Sequence, residues 1–600
     1  MFTTRPELLG TFGMVSSTHW LTSAAAMAML EQGGNAFDAA VAGGMMLQVC
    51  EPHLNGPGGD MPAIIHSAKT GQTQIVCGQG GAPAGATIEH YKSEGLNLIP
   101  GTGMLATVIP GAFDAWMIML RDHGTKKIED VFEIAIGYAE SGVPVVPRWT
   151  DTVATVAELF RDEWPTSAEQ WLVNGAPPKP GSIYANKPLA RTWRRLLDEA
   201  KAAGGDRVAQ IDAARIAWHQ GFVAEEIDKF CRETEVMDVS GERHKAVLTG
   251  EDMARWRATY DTPATYEFNG YTVVKPGVWS QGPAHLQALA LLKGFDLASM
   301  DPTGTEFVHT VTEAIKLAFA DRDAFYGDPD FVDVPLEQLL SDAYNDERRK
   351  LVGNDASMEL RHGRIDSFGC EVDYQAAINR AAGIGVPRGG KGAAGAGEPT
   401  VGALGQVKGD TCHIDVVDKE GNMVACMPSG GWLQSSPTIP ALGFQLNSRA
   451  QMFWLDEGQP MSLEPGKRPR TTLSPTMALR DGKPAVAFGT PGGDQQDQWQ
   501  SIFFLRHAVY GRNLQEAIDT PSFHSEHFVS SFYPRGAQPG RLVVEGRTPE
   551  ETVDGLRKRG HKVEVGELWS EGRLCAVGKD GEILKAGSNA RGMQGYAAGR

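Results

Sequence analysis

The sequence has few cysteines, no long apolar run and no excess of positive charge. Its 7 cysteines are scattered, odd in number and without any C-x-x-C pair, which argues against disulfides and against a structural zinc site. The amino terminus has no apolar run long enough for a secretory signal or a membrane span, so we expect a cytoplasmic protein. The net charge of -18 disfavours binding to nucleic acid or to an anionic membrane, because both need clustered Lys and Arg. A small molecule is therefore the expected partner.

The composition is that of a globular protein with a large core. Hydrophobic residues make up 42% of the chain and charged residues 22%, a balance that excludes disorder or fibrous structure for most of it. The length of 600 residues fits one large domain or two closely packed ones.

Helical and strand patterns alternate along the chain. Residues 23–52 (SAAAMAMLEQGGNAFDAAVAGGMMLQVCEP) predict two small-residue helices that are separated at Gly33 and Gly34, and residues 54–67 (LNGPGGDMPAIIHS) predict a Gly-rich turn before a strand. Residues 149–222 are polar and predict surface helices and loops. Residues 305–326 carry apolar residues three and four positions apart, which predicts a long helix.

A low-complexity segment lies directly before a well-patterned hairpin. Residues 380–407 are rich in Gly and Ala and predict a mobile loop. Residues 411–427 then predict a hairpin with its turn at DKEGN (418–422). Thr411 begins this hairpin, and a threonine at the start of a chain can use its own α-amine, with a pKa of roughly 7.7–8.0, to activate its hydroxyl. That chemistry requires a cut between Asp410 and Thr411. The alternative is an ordinary half-buried strand threonine.

Three other motifs are weaker. HSEH (524–527) has metal-ligand spacing but no third ligand nearby, so we assign no metal. GGKGAAG (389–395) lacks the Lys-Ser/Thr end of a phosphate loop, and no strand precedes it, so no nucleotide cofactor is predicted. PGGDQQDQWQ (491–500) follows an apolar strand and is either a simple turn or a pair of backbone amides facing a developing negative charge.

Five blocks of the sequence resemble, in order, the signatures of the γ-glutamyltransferase family of N-terminal nucleophile hydrolases. They are LEQGGNAFDAAVA (30–42), FADRDAFYGDPDFVDVP (319–335), TCHIDVVDKEGNMVA (411–425), GKRPRTTLSPTMALRDGKP (466–484) and GTPGGD (489–494). The resemblance implies an α+β fold of the four-layer αββα sandwich type. It also implies a self-cleaving precursor with a large subunit (1–410), whose flexible Gly/Ala-rich tail covers about 380–410, and a small subunit (411–600). Together they would form one globular unit, and a homo-oligomer of this heterodimer is left open.

The resemblance also assigns catalytic residues. Thr411 matches the nucleophile, and Ser429 stands where the family usually has a second threonine that supports it. Gly492 and Gly493 match the backbone oxyanion hole. The resemblance thus implies intact catalytic machinery without a cofactor.

The substrate-binding positions depart from the family pattern. Thr471 and Thr472 stand where many members have a Ser-Ser pair that contacts the substrate carboxylate. Gln79 replaces the arginine that binds the glutamyl carboxylate in true γ-glutamyl enzymes. In LNSRAQMF (446–453), Arg449 replaces a glutamine and Met452 replaces the acid that binds the substrate ammonium.

Arg449 carries the prediction for the substrate. A guanidinium in a partly buried pocket costs several kcal/mol unless it is paired, so Arg449 needs an anion. A substrate carboxylate is the leading candidate, and an internal pair with Asp494 or Asp60 is the alternative. The sequence therefore predicts an amidohydrolase for a small acidic amide without an α-amine, of oxamate or glutaryl type. A γ-glutamyltransferase or glutathione hydrolase is one alternative, and an unprocessed, non-catalytic family member is another.

Overall fold

The computed structural model describes residues 2–384 and 411–600. Asp410 and residues 385–409 of the predicted tail lie outside the described residues. The beginning of the low-complexity segment belongs to the helix Tyr374–Ala381 and is not a loop. Within the described residues, no helix combines the length and the apolar composition that a membrane crossing requires.

Two antiparallel sheets of 7 strands each form the centre of the described chain. From edge to edge, sheet I contains Leu8–Gly10, Ile583–Ser588, Cys575–Asp580, Lys483–Gly489, Thr476–Arg480, Tyr271–Lys275 and Ala264–Phe268. In the same way, sheet II contains Tyr596–Gly599, Gly13–Ser17, Ile414–Asp418, Met423–Cys426, Ala63–Ser67, Gln72–Cys77 and Thr259–Asp261. The two strands of the predicted hairpin lie in the middle of sheet II, with sheet partners on both sides.

The two sheets pack face to face through an apolar layer. Met14, Ile64 and Val417 from sheet II meet Met477 and Val577 from sheet I in one buried cluster. Because strand side chains alternate between faces, the other face of each sheet must be covered by helices. The described part of the chain supplies a helical layer on each side, and the predicted four-layer αββα sandwich is confirmed.

The helices of the outer layers follow from small and apolar residues at helical spacing. Those on the sheet II side are Trp20–Glu31, Ala36–Cys50, Ala112–His123, Ile128–Ser141, Pro147–Asp162, Pro165–Trp171, Lys187–Ala202, Arg207–His219 and Phe222–Glu233. Those on the sheet I side are Gly282–Leu292, Thr305–Phe325, Gln496–Ala508, Leu514–Asp519 and Glu550–Lys558. Shorter helices are Ile88–Ser93, Gly250–Arg255, Leu336–Leu340 and Asp342–Arg349. Three small strands, Phe523–Ser525, Arg541–Val544 and Lys562–Val565, form a separate sheet, and two short ribbons pair Val143–Pro144 with Ile183–Tyr184 and Val236–Met237 with Arg243–His244.

Two helix predictions differ in their outcome. The break at Gly33 is confirmed, and Gly44 shows why the second helix is rich in small residues, since a Cβ there would lie 2.5 Å from the Trp116 ring. The segment 149–222 is helical, but it is not merely a surface layer. Its tryptophans, including Trp193 and Trp218, are completely buried. Polar residues dominate the composition of this segment, so the composition does not reveal that its helices are amphipathic, with the tryptophans on the buried face.

His524, from the HSEH motif, forms a buried charge cluster that makes stability depend on pH. Its Nδ1 lies 2.5 Å from Glu571 and its Nε2 3.5 Å from Glu526. Burial alone lowers the pKa of His524, but the two carboxylates outweigh it and raise the pKa to about 9. Because this folded-state pKa exceeds the ordinary value, the stabilisation is complete below about pH 6.5 and is lost as the pH rises through about 9.

We therefore expect the free energy of unfolding to fall by about 3 kcal/mol between pH 6 and pH 10 through His524. Denaturant unfolding followed by tryptophan fluorescence measures this loss, and His524→Gln should flatten the pH dependence. His527→Gln is the matched control, because burial lowers the pKa of His527 to about 3 and keeps it neutral over this range. A wild-type slope that persists in His524→Gln would contradict the assignment.

Candidate active site

Thr411 is buried at the start of the central hairpin of sheet II, next to Ser429. The two residues form an isolated antiparallel bridge, and Thr411 Oγ1 donates a hydrogen bond to Ser429 Oγ at 3.2 Å. Regular strand structure begins only at Ile414, so Thr411 precedes the strand that the sequence pattern predicted to start there. Arg573 Nη2 lies 3.4 Å from the Thr411 carbonyl oxygen, to which it donates. The two hydroxyl residues that the sequence selected are therefore in contact.

The Gly-rich turn 54–60 packs against Ser429 from the other side. The backbone of Asp60 exchanges two hydrogen bonds with that of Ser429, at 2.9 and 3.0 Å. Glycine is needed in this turn because a Cβ at Gly59 would lie 2.1 Å from the Ser429 carbonyl oxygen. The turn thereby fixes the position of the hydroxyl that receives the Thr411 hydrogen bond.

Gly492 and Gly493 form a tight turn between the sheet I strand Lys483–Gly489 and the helix Gln496–Ala508. Both have positive φ angles, of 138° and 55°. A Cβ at Gly492 would lie 2.3 Å from the Trp499 ring, so a side chain at this position would displace the turn. The sequence prediction of a turn after an apolar strand is confirmed, while the oxyanion role of its amides stays a prediction.

Gln496 links this turn to Thr411, and the sequence analysis missed it. Its side-chain amide lies 3.5 Å from Thr411 Oγ1. In the orientation that satisfies both ends of the amide, its oxygen accepts from the Gly493 N–H at 3.3 Å and its nitrogen donates to the Thr472 carbonyl at 3.0 Å. One amide oxygen can thus lie within reach of the Thr411 hydroxyl and the Gly493 N–H at the same time. This is the placement that attack on an amide carbonyl requires.

The predicted substrate-binding residues lie in different surroundings. Thr471 Oγ1 accepts from the Leu473 N–H at 3.3 Å, whereas Thr472 Oγ1 is buried without a hydrogen-bond partner among residues 2–384 and 411–600. Gln79 is buried and donates to the Gly80 carbonyl at 3.2 Å. In the described part of the chain, Gln79 makes no hydrogen bond to Thr411 or to either threonine of this pair.

Arg449 has an internal carboxylate partner. Its Nε lies 2.7 Å and its Nη2 3.2 Å from the two oxygens of Asp60, and both side chains are buried. Asp494, the other internal candidate, instead contacts Arg322 at 2.5 Å. The structure thus shows the Asp60 pair that was the alternative to a substrate carboxylate. The prediction from the sequence that Arg449 binds the substrate carboxylate is not tested by this contact, but the Asp60 pair favours the internal alternative.

One described cluster has the residue types of a metal site. His309, Glu313 and His561 bring potential ligand atoms within 4.8 Å of one another. The two histidines are hydrogen-bonded directly at 2.9 Å, and Glu313 is 2.6 Å from the ammonium group of Lys316. Burial and the Lys316 charge lower the pKa of His561 to about 2, which reflects an environment that disfavours added positive charge. These ligand atoms are therefore engaged with each other and with a cation, and we assign no metal to them.

Comparisons with known proteins agree with this site. The family model described as Gamma-glutamyltranspeptidase matches residues 22–599. The glutathione hydrolase-like YwrD proenzyme of Bacillus subtilis is 29% identical over 99% of this chain and 99% of its own. The oxamate amidohydrolase proenzyme of Klebsiella pneumoniae is 30% identical over 96% of this chain and 95% of its own. A solved structure of LmbA2991HD is 54% identical, covers 100% of both chains and has a TM-score of 0.93.

The family match covers all but the first strand of each sheet in chain order, Leu8–Gly10 and Gly13–Ser17, and it includes Thr411, Ser429 and the turn at Gly492 and Gly493. The Bacillus subtilis and Klebsiella pneumoniae relatives are proenzymes named as hydrolases, the second of them for an amide substrate. The chain therefore belongs to the gamma-glutamyltranspeptidase family and is an N-terminal nucleophile amidohydrolase.

Proposed function

We propose that the chain cuts itself between Asp410 and Thr411 and that the freed Thr411 then hydrolyses the amide of a small acid. The observation that carries the proposal is the Gln496 amide, whose oxygen has Gly493 N–H as its donor and lies beside the Thr411 hydroxyl. A substrate carbonyl that replaced this oxygen would have the nucleophile and an oxyanion donor in place. The proenzyme names of the relatives support the cleavage.

The residues divide the reaction between them. Thr411 Oγ1 attacks the amide carbon while the Thr411 α-amine takes the hydroxyl proton, and the carbonyl oxygen becomes an oxyanion held by the Gly492 and Gly493 amides. The C–N bond then breaks, and the leaving amine receives the proton, which leaves an ester on Thr411. Water attacks this ester and releases the acid. Ser429 orients the Thr411 hydroxyl throughout.

Self-cleavage is the same type of reaction, with the peptide bond between Asp410 and Thr411 in place of the substrate amide. Thr411 Oγ1 attacks the Asp410 carbonyl carbon, the C–N bond of the peptide breaks, and the hydroxyl proton passes to the Thr411 nitrogen, which leaves an ester and a free amine. Water then hydrolyses this ester to the Asp410 carboxyl group and the Thr411 hydroxyl. The amino group of Thr411 becomes free only when the ester replaces the peptide bond, so the precursor lacks the base of the mature enzyme.

The substrate class follows from the departures from the family pattern. Met452 is completely buried and stands where the family has an acid for the substrate ammonium. An α-amine would therefore lose its charged partner, and we propose an amine-free acid amide of oxamate or glutaryl type. The name of the oxamate amidohydrolase relative supports this class. Hydrolysis or transfer of γ-glutamyl groups is the second candidate, favoured by the name of the glutathione hydrolase-like relative.

Product release from matched amides tests the substrate proposal. We expect kcat/KM to be highest for an oxamate or glutaryl amide, lower for an uncharged amide of equal length, and lowest for the γ-glutamyl amide. Faster turnover of the γ-glutamyl amide than of every amine-free acid amide would overturn the proposal and favour the second candidate.

Arg449→Gln tests the role of Arg449. The substitution leaves the Asp60 carboxylate without its bidentate guanidinium partner, and breaking a buried pair in this way typically costs about 3–5 kcal/mol of stability. Because Asp60 also holds Ser429, we expect slower processing and equal losses of kcat/KM on glutaryl and uncharged amides. A tenfold to hundredfold loss confined to the acidic amide, about the value of one charge-assisted hydrogen bond, would instead make Arg449 the residue that binds the acyl carboxylate.

A further inference from the structure

Arg470 is a buried arginine whose hydrogen-bonding groups are mostly unused. It directly precedes Thr471 and is 4% exposed. Its Nη2 donates to Ser531 Oγ at 2.9 Å. Its Nε and Nη1 have no hydrogen-bond acceptor anywhere in residues 2–384 and 411–600. Guanidinium donors that stay buried without an acceptor cost free energy, so an acceptor is expected at this place.

The carboxylates near Arg470 are already engaged by another arginine. Asp323 lies 3.8 Å from Arg470 Nη1, beyond hydrogen-bond distance, and its nearer oxygen receives two hydrogen bonds from Arg322 at 2.8 and 3.0 Å. Asp494 likewise contacts Arg322 at 2.5 Å and accepts from Ser531 at 2.6 Å. Arg470 therefore adds a positive charge to a network whose acids are mainly paired with Arg322.

The chemistry of the surroundings favours an incoming anion. Burial and the charge of Arg322 lower the pKa of Arg470 to about 10, which shows that the charged guanidinium is disfavoured there. A negatively charged ligand would therefore stabilise it. A second buried arginine, Arg535, lies near enough to Arg470 for their charges to repel each other, and it donates to the carbonyls of Gln451 and Met452. No acid stands at Met452 to neutralise these cations.

Arg470 is connected to the catalytic turn from two directions. Thr472 lies two residues after Arg470, and its carbonyl accepts a hydrogen bond from the Gln496 side-chain nitrogen at 3.0 Å. Through Ser531, Arg470 reaches Asp494, the residue directly after Gly493. A ligand bound by an unused donor of Arg470 would therefore be fixed relative to the oxyanion turn.

We propose that Arg470 is a specificity-determining residue whose unused N–H donors bind the free carboxylate of the acyl group. The proposal rests on the proposed acid-amide hydrolysis and names the group that recognises the acid. Nε–H and Nη1–H point to different edges of the guanidinium, so a carboxylate on either edge can accept a charge-assisted hydrogen bond from one of them. Thr472 Oγ1, two residues further along the chain, is also buried without a hydrogen-bond partner among the described residues.

The experiment compares glutaryl 4-nitroanilide with pentanoyl 4-nitroanilide, an uncharged substrate of the same chain length, on processed protein. Arg470→Gln should lower kcat/KM for the glutaryl substrate about ten- to a hundredfold and leave the pentanoyl value within about twofold. Arg470→Lys keeps the positive charge but loses the planar guanidinium, and it should recover part of the preference for the glutaryl substrate. Binding of free glutarate, measured by calorimetry, should weaken by a similar factor in Arg470→Gln.

Each outcome decides a separate claim. Equal losses on both substrates, with unchanged glutarate affinity, would make Arg470 a structural residue and overturn the inference. Where Arg470→Gln is recovered unprocessed, the ratio of the two substrates in Arg470→Lys decides, and an unchanged ratio overturns the inference as well. Absence of hydrolysis of every amide by the processed wild-type protein would refute the proposed function, whereas glutarate binding that still depends on Arg470 would preserve the anion site.

Discussion

Thr411→Ala should leave the protein as one unbroken chain of 64.6 kDa and abolish amide hydrolysis. Alanine has no hydroxyl to attack the Asp410 carbonyl, so the precursor cannot form the ester that precedes cleavage. Loss of a nucleophile that acts together with its base lowers turnover on the order of 10⁶-fold in well-studied hydrolases. A denaturing gel and a product assay on the same preparation measure both effects.

Two further variants separate a chemical loss from misfolding. Thr411→Ser keeps a hydroxyl at the same position and should still cleave, although more slowly. Ser429→Ala removes the acceptor that orients the Thr411 hydroxyl, which the structure places 3.2 Å away, and should slow cleavage without preventing it. A Thr411→Ala protein that still yields two chains would show that another residue is the nucleophile. A wild-type protein that remains one chain would restore the non-catalytic alternative.

Gly493→Ala should reduce turnover by about 100- to 1,000-fold in processed protein, the typical loss when one oxyanion donor is removed. Gly493 has a φ of 55°, a conformation that alanine adopts only with strain, so a methyl group there shifts the amide that faces the Gln496 oxygen. The loss should fall on kcat more than on KM, because the amide acts on a charge that exists only in the transition state.

Gly511→Ala is the matched control for the backbone strain. Gly511 has a φ of 65° on the surface, and a Cβ there would meet no atom within 4 Å. Its substitution carries the same conformational cost without touching the site, so turnover should stay close to that of the wild type. Near-normal turnover of processed Gly493→Ala would place the oxyanion hole elsewhere.

The sequence predicted the parts of the fold that depend on local pattern. The hairpin strands Ile414–Asp418 and Met423–Cys426 follow from alternation of apolar residues and from the turn between them. The break after Glu31 follows from Gly33, which takes a positive φ. The layered packing was predicted through the family resemblance, because periodicity alone does not show which sheet faces which. The burial of Trp193 in a polar segment was missed because burial there depends on tertiary packing.

The candidate site was predicted where chemistry depends on residue type within a motif. Thr411 and Ser429 were both selected, and their contact depends on the two hairpin strands that bring them together. Gln496 was missed because a glutamine at the start of a helix is common, and only the fold places its amide beside Gly493. Arg449 illustrates the opposite difficulty. The sequence showed that the guanidinium needs an anion, but its carboxylate partner in the structure, Asp60, lies far away in the chain and could be chosen only from the fold.

N-terminal sequencing of the small chain of unaltered protein tests the central claim most directly. The chain is separated on a denaturing gel and sequenced without prior chemical treatment, since the claim concerns a free α-amine. We predict one amino-terminal sequence, Thr-Cys-His-Ile-Asp, which corresponds to cleavage between Asp410 and Thr411. A small chain that begins at any other residue would contradict the assignment of Thr411 as the nucleophile.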